Sequence, residues 1–244
     1  MSDTPLAGKN ALVTGAAHRT GRDLALGLAR AGADVAIHFH TNEAAAREVV
    51  AEIEGLGRRA LAIPADLTDA DQANKAVQAA ETALGSVDLL VNNVGVIVWK
   101  TLDEITPEDW QRCIDGTATA TWNTSRAAAC GMRARGFGRI INILDADADA
   151  LAPVIFATPY KIGKTATWVL TKSMAKNEAA HGITVNAISP GVLENSEKEV
   201  PLERIPAGRP GTSEDLIGAL LYLCSDAAAH TTGTNIKVSG GYLI

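Results

Sequence analysis

Short apolar runs alternate along the chain with longer segments whose apolar residues recur at helical spacing. The apolar runs, each a predicted strand, lie at 11–14, 35–37, 60–63, 89–91, 140–143, 184–188 and 235–238. Segments with helical spacing lie at about 21–31, 43–56, 69–84, 107–134, 157–180 and 213–225. Strands that are apolar on both faces are typical of parallel sheets covered by helices on each side. The pattern therefore predicts an α/β fold with a doubly wound parallel sheet of about seven strands and helices on both faces.

One long segment interrupts this alternation. Residues 191–211 contain Pro201, Pro206 and Pro210, mix charges, and have no sustained period. Loops of that length in compact domains are usually lids or binding segments. A sheet of this type with roughly 200 to 250 residues often folds as one unit. We therefore expect residues 1–244 to form a single Rossmann-type domain with a substrate loop at about 191–211.

The composition excludes several classes of protein. The formal net charge is −6 and the basic residues are scattered, whereas nucleic-acid-binding proteins usually carry a clustered basic face. No apolar run is long enough to cross a membrane, and the polar start of the chain does not resemble a signal peptide. The expected partner is a small-molecule substrate, with neither nucleic acid nor membrane, and the expected compartment is the cytoplasm.

The cysteines and histidines do not indicate a metal site. The cysteines number three and lack a short pairing such as CxxC, which favours reduced thiols over a zinc site or a disulfide framework. His38 and His40 share one face of a predicted strand, but no trio of cysteines or carboxylates accompanies them. We predict no metal.

The first predicted strand ends in a glycine turn, residues 14–21, that runs directly into a helix. Such a turn brings backbone N–H groups and a helix N-terminus close to a dinucleotide pyrophosphate. The second strand ends at His40, Thr41 and Asn42, without the acidic residue that receives the ribose 2′-hydroxyl of NAD. Arg19 offers a permanent charge to a 2′-phosphate, so the sequence favours NADPH. The turn residues expected at the cofactor are Gly15, His18, Arg19, Thr20 and Gly21.

Tyr160 and Lys164 lie four residues apart in the predicted helix 157–180 and therefore share a face. An ammonium beside a phenol favours the phenolate and should lower the tyrosine pKa from about 10 toward neutrality. Tyr160 would then be a usable acid or base. This spacing is common by chance, so the pair needs its context before it indicates catalysis.

That context resembles the short-chain dehydrogenase/reductase family from about residue 8 to the C-terminus. The matching motifs are the glycine turn, Asp66, Asn92–Gly95, Tyr160 with Lys164, Asn186–Gly191 and Gly240–Gly241. The resemblance implies that Tyr160 donates a proton while hydride leaves NADPH, and that Lys164 holds the nicotinamide ribose. It also implies a homotetramer, to which the apolar stretch 241–244 could contribute. The cofactor residues that it implies are Asp66, Leu67, Asn93, Val94, Gly95, Tyr160, Lys164, Pro190, Gly191 and Val192.

Three positions depart from the usual family pattern. Arg19 replaces the central glycine of the turn and, with residues 38–40, is similar to the pteridine reductase branch, which implies NADPH dependence. The family's serine after the fifth strand is replaced by an aspartate, which is Asp145 when counted from the strand and Asp147 when counted back from the tyrosine. A solvated acidic loop is the simpler interpretation of this segment. Thr117 stands where the family has a catalytic asparagine.

An ionised aspartate in that position would stabilise a cationic or N–H-bearing substrate. The leading hypothesis is therefore an NADPH-dependent reductase that transfers hydride to a C=N or C=O bond of a small substrate, for example a heterocycle such as a pteridine, or an imine. Its catalytic residues would be Tyr160, Lys164, Asp145 or Asp147, and Thr117. The alternatives are a 3-oxoacyl-carrier-protein or generic carbonyl reductase, and a non-catalytic NADPH-binding protein.

Overall fold

The fold alternates strand and helix from one end of the chain to the other. The structure is a computed structural model that describes residues 4–196 and 200–243. The strands are β1 (Asn10–Val13), β2 (Asp34–Phe39), β3 (Ala60–Pro64), β4 (Leu89–Asn92), β5 (Gly138–Ile143), β6 (Ile183–Pro190) and β7 (Asn235–Val238). The helices are α1 (Arg19–Arg30), α2 (Glu43–Gly55), α3 (Ala70–Leu84), α4 (Pro107–Ile114), α5 (Ala120–Arg135), α6 (Thr158–Glu178) and α7 (Ser213–Cys224).

The strands form one parallel sheet in the order β3-β2-β1-β4-β5-β6-β7. The direction in which successive strands are added reverses between β1 and β4. At such a reversal the loops after the two strands turn to opposite faces, which leaves a crevice at the carboxyl ends of the strands. The predicted doubly wound sheet is confirmed, and its topology fixes where a ligand can bind.

Two hydrophobic cores hold helices on the two faces of the sheet. One core packs α1, α2 and α7 against one face, through residues such as Leu24, Val49 and Leu220. The other packs α3, α5 and α6 against the opposite face, through residues such as Val77 and Met132. The strands are apolar throughout because both faces are covered, as the sequence pattern predicts.

The predicted helix 107–134 is not continuous. It begins as predicted at Thr106, whose hydroxyl accepts the N–H of Asp109 in a capping box. It is interrupted by a π-helical turn at Asp115–Thr119, after which α5 continues. The widened turn places Gly116 against Val96, where a Cβ atom would lie 2.3 Å from a methyl carbon of Val96. The sequence predicts one continuous helix because the π-helical turn inserts only one residue, which barely changes the spacing of the apolar positions.

The loop predicted at 191–211 is closed at its base by backbone hydrogen bonds. Leu193 and Gly211 form an isolated parallel bridge. The N–H of Gly211 donates to the Val192 carbonyl at 2.8 Å, and the N–H of Glu194 donates to the Gly211 carbonyl at 3.0 Å. Residues 197–199 of the predicted loop lie outside the described residues. Over residues 4–196 and 200–243, no helix has the length and apolar character needed to cross a membrane.

Candidate active site

A cavity of about 1240 Å³ follows the carboxyl ends of the strands. It begins at the glycine turn, crosses the crevice between β1 and β4, and ends between the start of α6 and the loop after β6. Its volume lies above the usual range for a single small-molecule site, about 300–1,000 Å³. The site residues predicted from sequence that line it are Gly15, His18, Arg19, Thr20, Gly21, His40, Asp66, Leu67, Asn93, Val94, Gly95, Asp145, Asp147, Tyr160, Pro190, Gly191 and Val192.

The glycine turn is packed so closely that side chains are excluded from it. Gly15 has a φ of 61°, in the left-handed region. A Cβ atom on Gly21 would lie 2.2 Å from the Gly15 carbonyl oxygen and 2.6 Å from Nδ2 of Asn93. That amide donates to the carbonyls of Thr14, at 3.2 Å, and Gly15, at 3.1 Å. The turn therefore has the bare backbone that a pyrophosphate requires.

Arg19 occupies a conformation that usually belongs to glycine. Its φ is 51°, which costs an L-residue about 1–2 kcal/mol. It begins α1, whose N-cap His18 makes no side-chain cap and whose first turn has no acidic residue. Its Nη2 donates to the Asn195 carbonyl at 3.1 Å, across the cavity mouth. Strain of this kind is typical of binding sites. In this conformation, Arg19 places a permanent cation beside an open helix N-terminus.

The residues predicted to contact the adenosine half separate into two groups. Asp66 faces the cavity, and hydrogen bonds from the hydroxyl and N–H of Thr68 lower the pKa of Asp66 below its ordinary value. His40 lies beside it on the same wall. Thr41 instead lines a separate hollow between β2 and α2, and Asn42 caps α2 by accepting the N–H of Ala45 at 3.1 Å. Thr41 and Asn42 thus lie outside the cavity that the others share.

Lys164 lies beneath Tyr160 on the same face of α6, as their spacing predicts. Its Nζ lies 5.5 Å from the centre of the Tyr160 ring and donates to the Ile143 carbonyl at 2.6 Å. Burial lowers the pKa of Lys164 to about 8, against the opposing charge of Asp145. The ammonium is therefore held at the end of β5 and remains mostly charged at neutral pH.

The structure contradicts the expectation that Lys164 lowers the pKa of Tyr160 toward neutrality. Burial raises the pKa of Tyr160 well above its ordinary value, and the Asp145 carboxylate raises it further. A phenolate here would be poorly solvated and would lie near a second negative charge, while the ammonium is directed to a backbone carbonyl. The hydroxyl of Tyr160 consequently keeps its proton at neutral pH.

The two aspartates that sequence reasoning left open differ in their partners. Asp147 forms an ion pair with Lys161, with Oδ1 and Nζ 2.5 Å apart, and its carbonyl also accepts from that ammonium. Oδ1 of Asp145 is buried and has no hydrogen-bond partner among the described residues. Burial raises the pKa of Asp145, and the nearby Lys161 opposes this. The geometry therefore assigns the position beside Tyr160 to Asp145, with Asp147 serving to hold Lys161.

Thr117 lies behind the cavity wall rather than in it. It is fully buried in the π-helical turn, and its hydroxyl accepts the N–H of Val96 at 3.2 Å. A Cβ atom on Gly163 would lie 3.0 Å from Cβ of Thr117, so α6 packs directly against it. Thr117 therefore shapes the cavity wall from behind. The sequence predicts a direct catalytic role for it instead.

Several cavity residues were not found by sequence reasoning. Lys161 is nearly fully buried, although a lysine next to Tyr160 gives no sequence signal of burial. Trp99 and Phe156 line the substrate end, and Tyr242 lies there too. Exposed aromatic residues in loops were the only available signal for these three. His38 also lines the cavity. Among the residues that the structure describes, no group of His, Cys, Asp and Glu is placed to hold a metal ion.

Comparison with known proteins identifies relatives over the whole chain. A family model for short chain dehydrogenases matches residues 9–203. A 3-oxoacyl-[acyl-carrier-protein] reductase of Synechocystis sp. is 34% identical over 247 residues, 99% of this chain and 99% of that protein. A gluconate 5-dehydrogenase of Gluconobacter oxydans is 34% identical, over 98% of this chain and 96% of that one. The structure of a gluconate 5-dehydrogenase from Burkholderia cenocepacia in complex with NADP and tartrate has a TM-score of 0.90 at 33% identity, covering 98% of this chain and 96% of that one.

These relatives bear on the narrower resemblance to pteridine reductases. The names of all three refer to acyl-thioester or sugar-acid chemistry and not to pteridines. They support the wider family and agree better with the carbonyl-reductase alternative than with a pteridine substrate. The similarity at Arg19 and residues 38–40 therefore bears on the cofactor more than on the substrate.

Proposed function

Because the chain belongs to the short-chain dehydrogenase/reductase family, we propose that it is an NADPH-dependent reductase of a small substrate with a C=N or C=O bond. The observation that carries this is the placement of Tyr160 and Asp145 on one wall of the cavity, with Lys164 beneath the tyrosine ring. A protonated donor and a cofactor-sized crevice together support reduction. NADPH, when bound, supplies the hydride.

The glycine turn and Arg19 fit the proposed cofactor. The bare backbone at Gly15 and Gly21 leaves room that a Cβ atom would fill, and the open N-terminus of α1 is suited to a pyrophosphate. Arg19 supplies a fixed positive charge for a 2′-phosphate. Asp66 would meet the adenosine half, and Lys164 the nicotinamide ribose. The related structure with bound NADP supports the same choice.

Arg19→Gly should weaken NADPH but not NADH. Removing one charged hydrogen-bonding partner of a phosphate should raise KM for NADPH about 10- to 100-fold, whereas NADH has no 2′-phosphate to lose. Glycine also removes the left-handed strain, so the melting temperature should not fall. Steady-state kinetics with both cofactors measures this. Arg30→Ala, at the far end of α1 with an exposed ion pair to Glu214, is the control; equal losses for both cofactors would contradict the assignment.

The chemistry proposed for a C=N substrate uses both Asp145 and Tyr160. Tyr160 donates its proton to the substrate nitrogen, and the Asp145 carboxylate stabilises the positive charge that forms there. Addition of hydride to the carbon then neutralises the charge and completes the amine. The tyrosine regains its proton from solvent. The unpartnered, buried Oδ1 of Asp145 favours this substrate class, since an unpaired buried carboxylate is costly without a donor to meet it.

A second candidate is the reduction of a ketone or β-ketoacyl thioester, which the named relatives favour. Here Tyr160 protonates the developing alkoxide. An ionised Asp145 would oppose that negative charge, whereas a protonated Asp145 could donate to it in place of the family's serine.

Asp145→Ser separates the two candidates. We expect kcat/KM for cyclic imines to fall about 10- to 100-fold, since a hydrogen bond to a charged group is lost, and kcat/KM for simple ketones to rise or stay unchanged. NADPH oxidation over ketones, β-ketoacyl thioesters, pterins and cyclic imines measures the ratio. Asp149→Asn, which alters the contacts of Asp149 with Lys237 and Asn235 outside the cavity, is the control. A wild type active on ketones alone, with turnover increased by Asp145→Ser, would refute the C=N assignment.

We further propose that the chain assembles as a homotetramer. Trp122 on α5 and Ile162 and Val169 on α6 are exposed apolar side chains on adjacent helices, and such surfaces commonly mark interfaces. The predicted contribution of the C-terminal stretch has less support, because Tyr242 and Leu243 line the cavity and residue 244 lies outside the described residues. Sedimentation equilibrium measures the number of chains directly.

The compartment that we propose is the cytoplasm. Cys113, Cys130 and Cys224 are all free thiols in the structure. Reduced cysteines are usual where glutathione and thioredoxin keep thiols reduced.

A further inference from the structure

One histidine side chain joins the glycine turn to the two strands beside it. Nδ1 of His38 lies 3.1 Å from the backbone nitrogen of Gly15 and accepts its N–H. The backbone carbonyl of His38 accepts the next N–H, from Ala16, at 3.0 Å. Nε2 lies 3.0 Å from the Ala65 carbonyl after β3. His38 thus accepts hydrogen bonds from two successive backbone N–H groups of the turn, and it is only 3% exposed.

These partners permit only one form of the imidazole ring. The Gly15 N–H can only donate, so Nδ1 must carry a lone pair; the Ala65 carbonyl can only accept, so Nε2 must carry the proton. A doubly protonated ring would place an N–H against the N–H of Gly15. The turn that would hold the pyrophosphate is therefore compatible only with a neutral His38.

We propose that His38 is a positioning residue of the cofactor site, which holds the glycine turn in its binding form only while the imidazole is neutral. This inference rests on the proposed use of NADPH. The expected consequence is that cofactor affinity falls in acid, because protonation removes an acceptor on which the Gly15 backbone depends.

The groups around the ring agree with a neutral state. Burial lowers the pKa of His38 below its ordinary value, and the Ala65 carbonyl opposes that effect. The charge of His40, which directly follows β2, lowers the pKa of His38 further, while that of Asp66 after β3 raises it. The turn itself brings the cation Arg19 to the same cavity. Protons therefore bind the folded protein more weakly than the unfolded chain, so acid below the ordinary histidine pKa of about 6.5 favours loss of the turn.

The first experiment examines the ring directly, without cofactor. Two-dimensional ¹H–¹⁵N spectra of the imidazole nitrogens, assigned with His38→Asn, should show a proton on Nε2 and none on Nδ1 at pH 7, and Nδ1 should stay unprotonated well below pH 6.5. A proton on Nδ1, or titration at the ordinary histidine value, would overturn the inference whatever the enzyme turns over.

The second experiment measures the dissociation constant of NADPH by fluorescence from pH 8 to pH 4.5. Asn keeps an acceptor near the position of Nδ1 but does not titrate, so His38→Asn should bind within about threefold of wild type at pH 7. His38→Leu should bind at least about tenfold more weakly, with KM for NADPH raised and kcat little changed. The ratio of the wild-type constant to the His38→Asn constant should be flat above about pH 6.5 and rise in acid, approaching tenfold per pH unit.

The ratio also cancels the titration of the 2′-phosphate, which is the same for both proteins. A ratio that stays flat throughout, or His38→Leu binding as tightly as wild type, would overturn the inference. If His38→Leu fails to fold, His38→Asn and the ring spectra still decide the matter. Failure of wild type to bind NADPH at any pH would instead contradict the proposed function, so the two failures are distinguishable.

Discussion

Replacing Tyr160 with Phe should lower kcat by about 10²- to 10⁴-fold, the range for loss of a positioned proton donor. The change removes one hydroxyl from a half-buried ring and leaves the packing of α6 intact. NADPH affinity should fall only slightly, because the glycine turn and Lys164 are untouched. Single-turnover NADPH oxidation and a fluorescence titration together separate loss of chemistry from loss of binding.

Tyr222→Phe is the matched control for this prediction. Tyr222 is an exposed tyrosine on α7, whose hydroxyl meets Thr231 at 3.0 Å, away from the cavity. It should retain wild-type kinetics. If Tyr160→Phe retained more than about a tenth of the activity, Tyr160 would not be the proton donor. Absence of turnover by the wild type over a broad substrate panel, with normal NADPH affinity, would favour a non-catalytic binding protein.

Gly21→Ala should abolish most cofactor binding and destabilise the fold. The new Cβ atom would lie 2.2 Å from the Gly15 carbonyl oxygen, and that backbone cannot move without breaking its hydrogen bond to Asn93. Overpacking of this kind costs about 1–3 kcal/mol. The displaced turn should bind NADPH at least about tenfold more weakly, since backbone approach to the pyrophosphate depends on that glycine. Urea denaturation and fluorescence titration measure the two effects.

Gly218→Ala provides the comparison within the same protein. Gly218 lies in α7, and no atom lies within 4 Å of the position of an added Cβ. Alanine should therefore stabilise this helix by about 0.5–1 kcal/mol and leave NADPH affinity unchanged. If the two glycine variants had similar effects, the close packing of the turn would not be responsible.

The sheet could be predicted from sequence because its signals are local. Each strand is a short apolar run, each helix has a periodic apolar face, and the predicted helix starts at 107 and 213 directly follow the capping residues Thr106 and Thr212. The glycine turn was found for the same reason: it follows β1 directly. The π-helical turn at residues 115–119 was missed because it depends on packing against Val96, which lies far away in sequence.

The candidate site was predicted less completely because it depends on contacts between distant segments. Spacing alone could not distinguish Asp145 from Asp147, since the choice depends on Lys161, which pairs with Asp147. The predicted direction of the Tyr160 pKa shift is wrong because helix spacing brings Lys164 near the ring but reveals neither the burial of the phenol nor the hydrogen bond from Lys164 to the Ile143 carbonyl. The sequence presents His38 only as a possible metal ligand, and the fold shows that Gly15 is its partner.

The bridge between Leu193 and Gly211 closes the loop predicted at 191–211 at its base. Its two ends are tied to each other by backbone hydrogen bonds, which need no particular side chain at Val192 or Glu194. Lengthening a flexible loop costs little, about 0.6 kcal/mol for each doubling. Substrate range could therefore diversify by insertion and deletion within 194–210 while the proton donor and the glycine turn stay in place. The same property makes this segment a natural graft point for engineering new specificity.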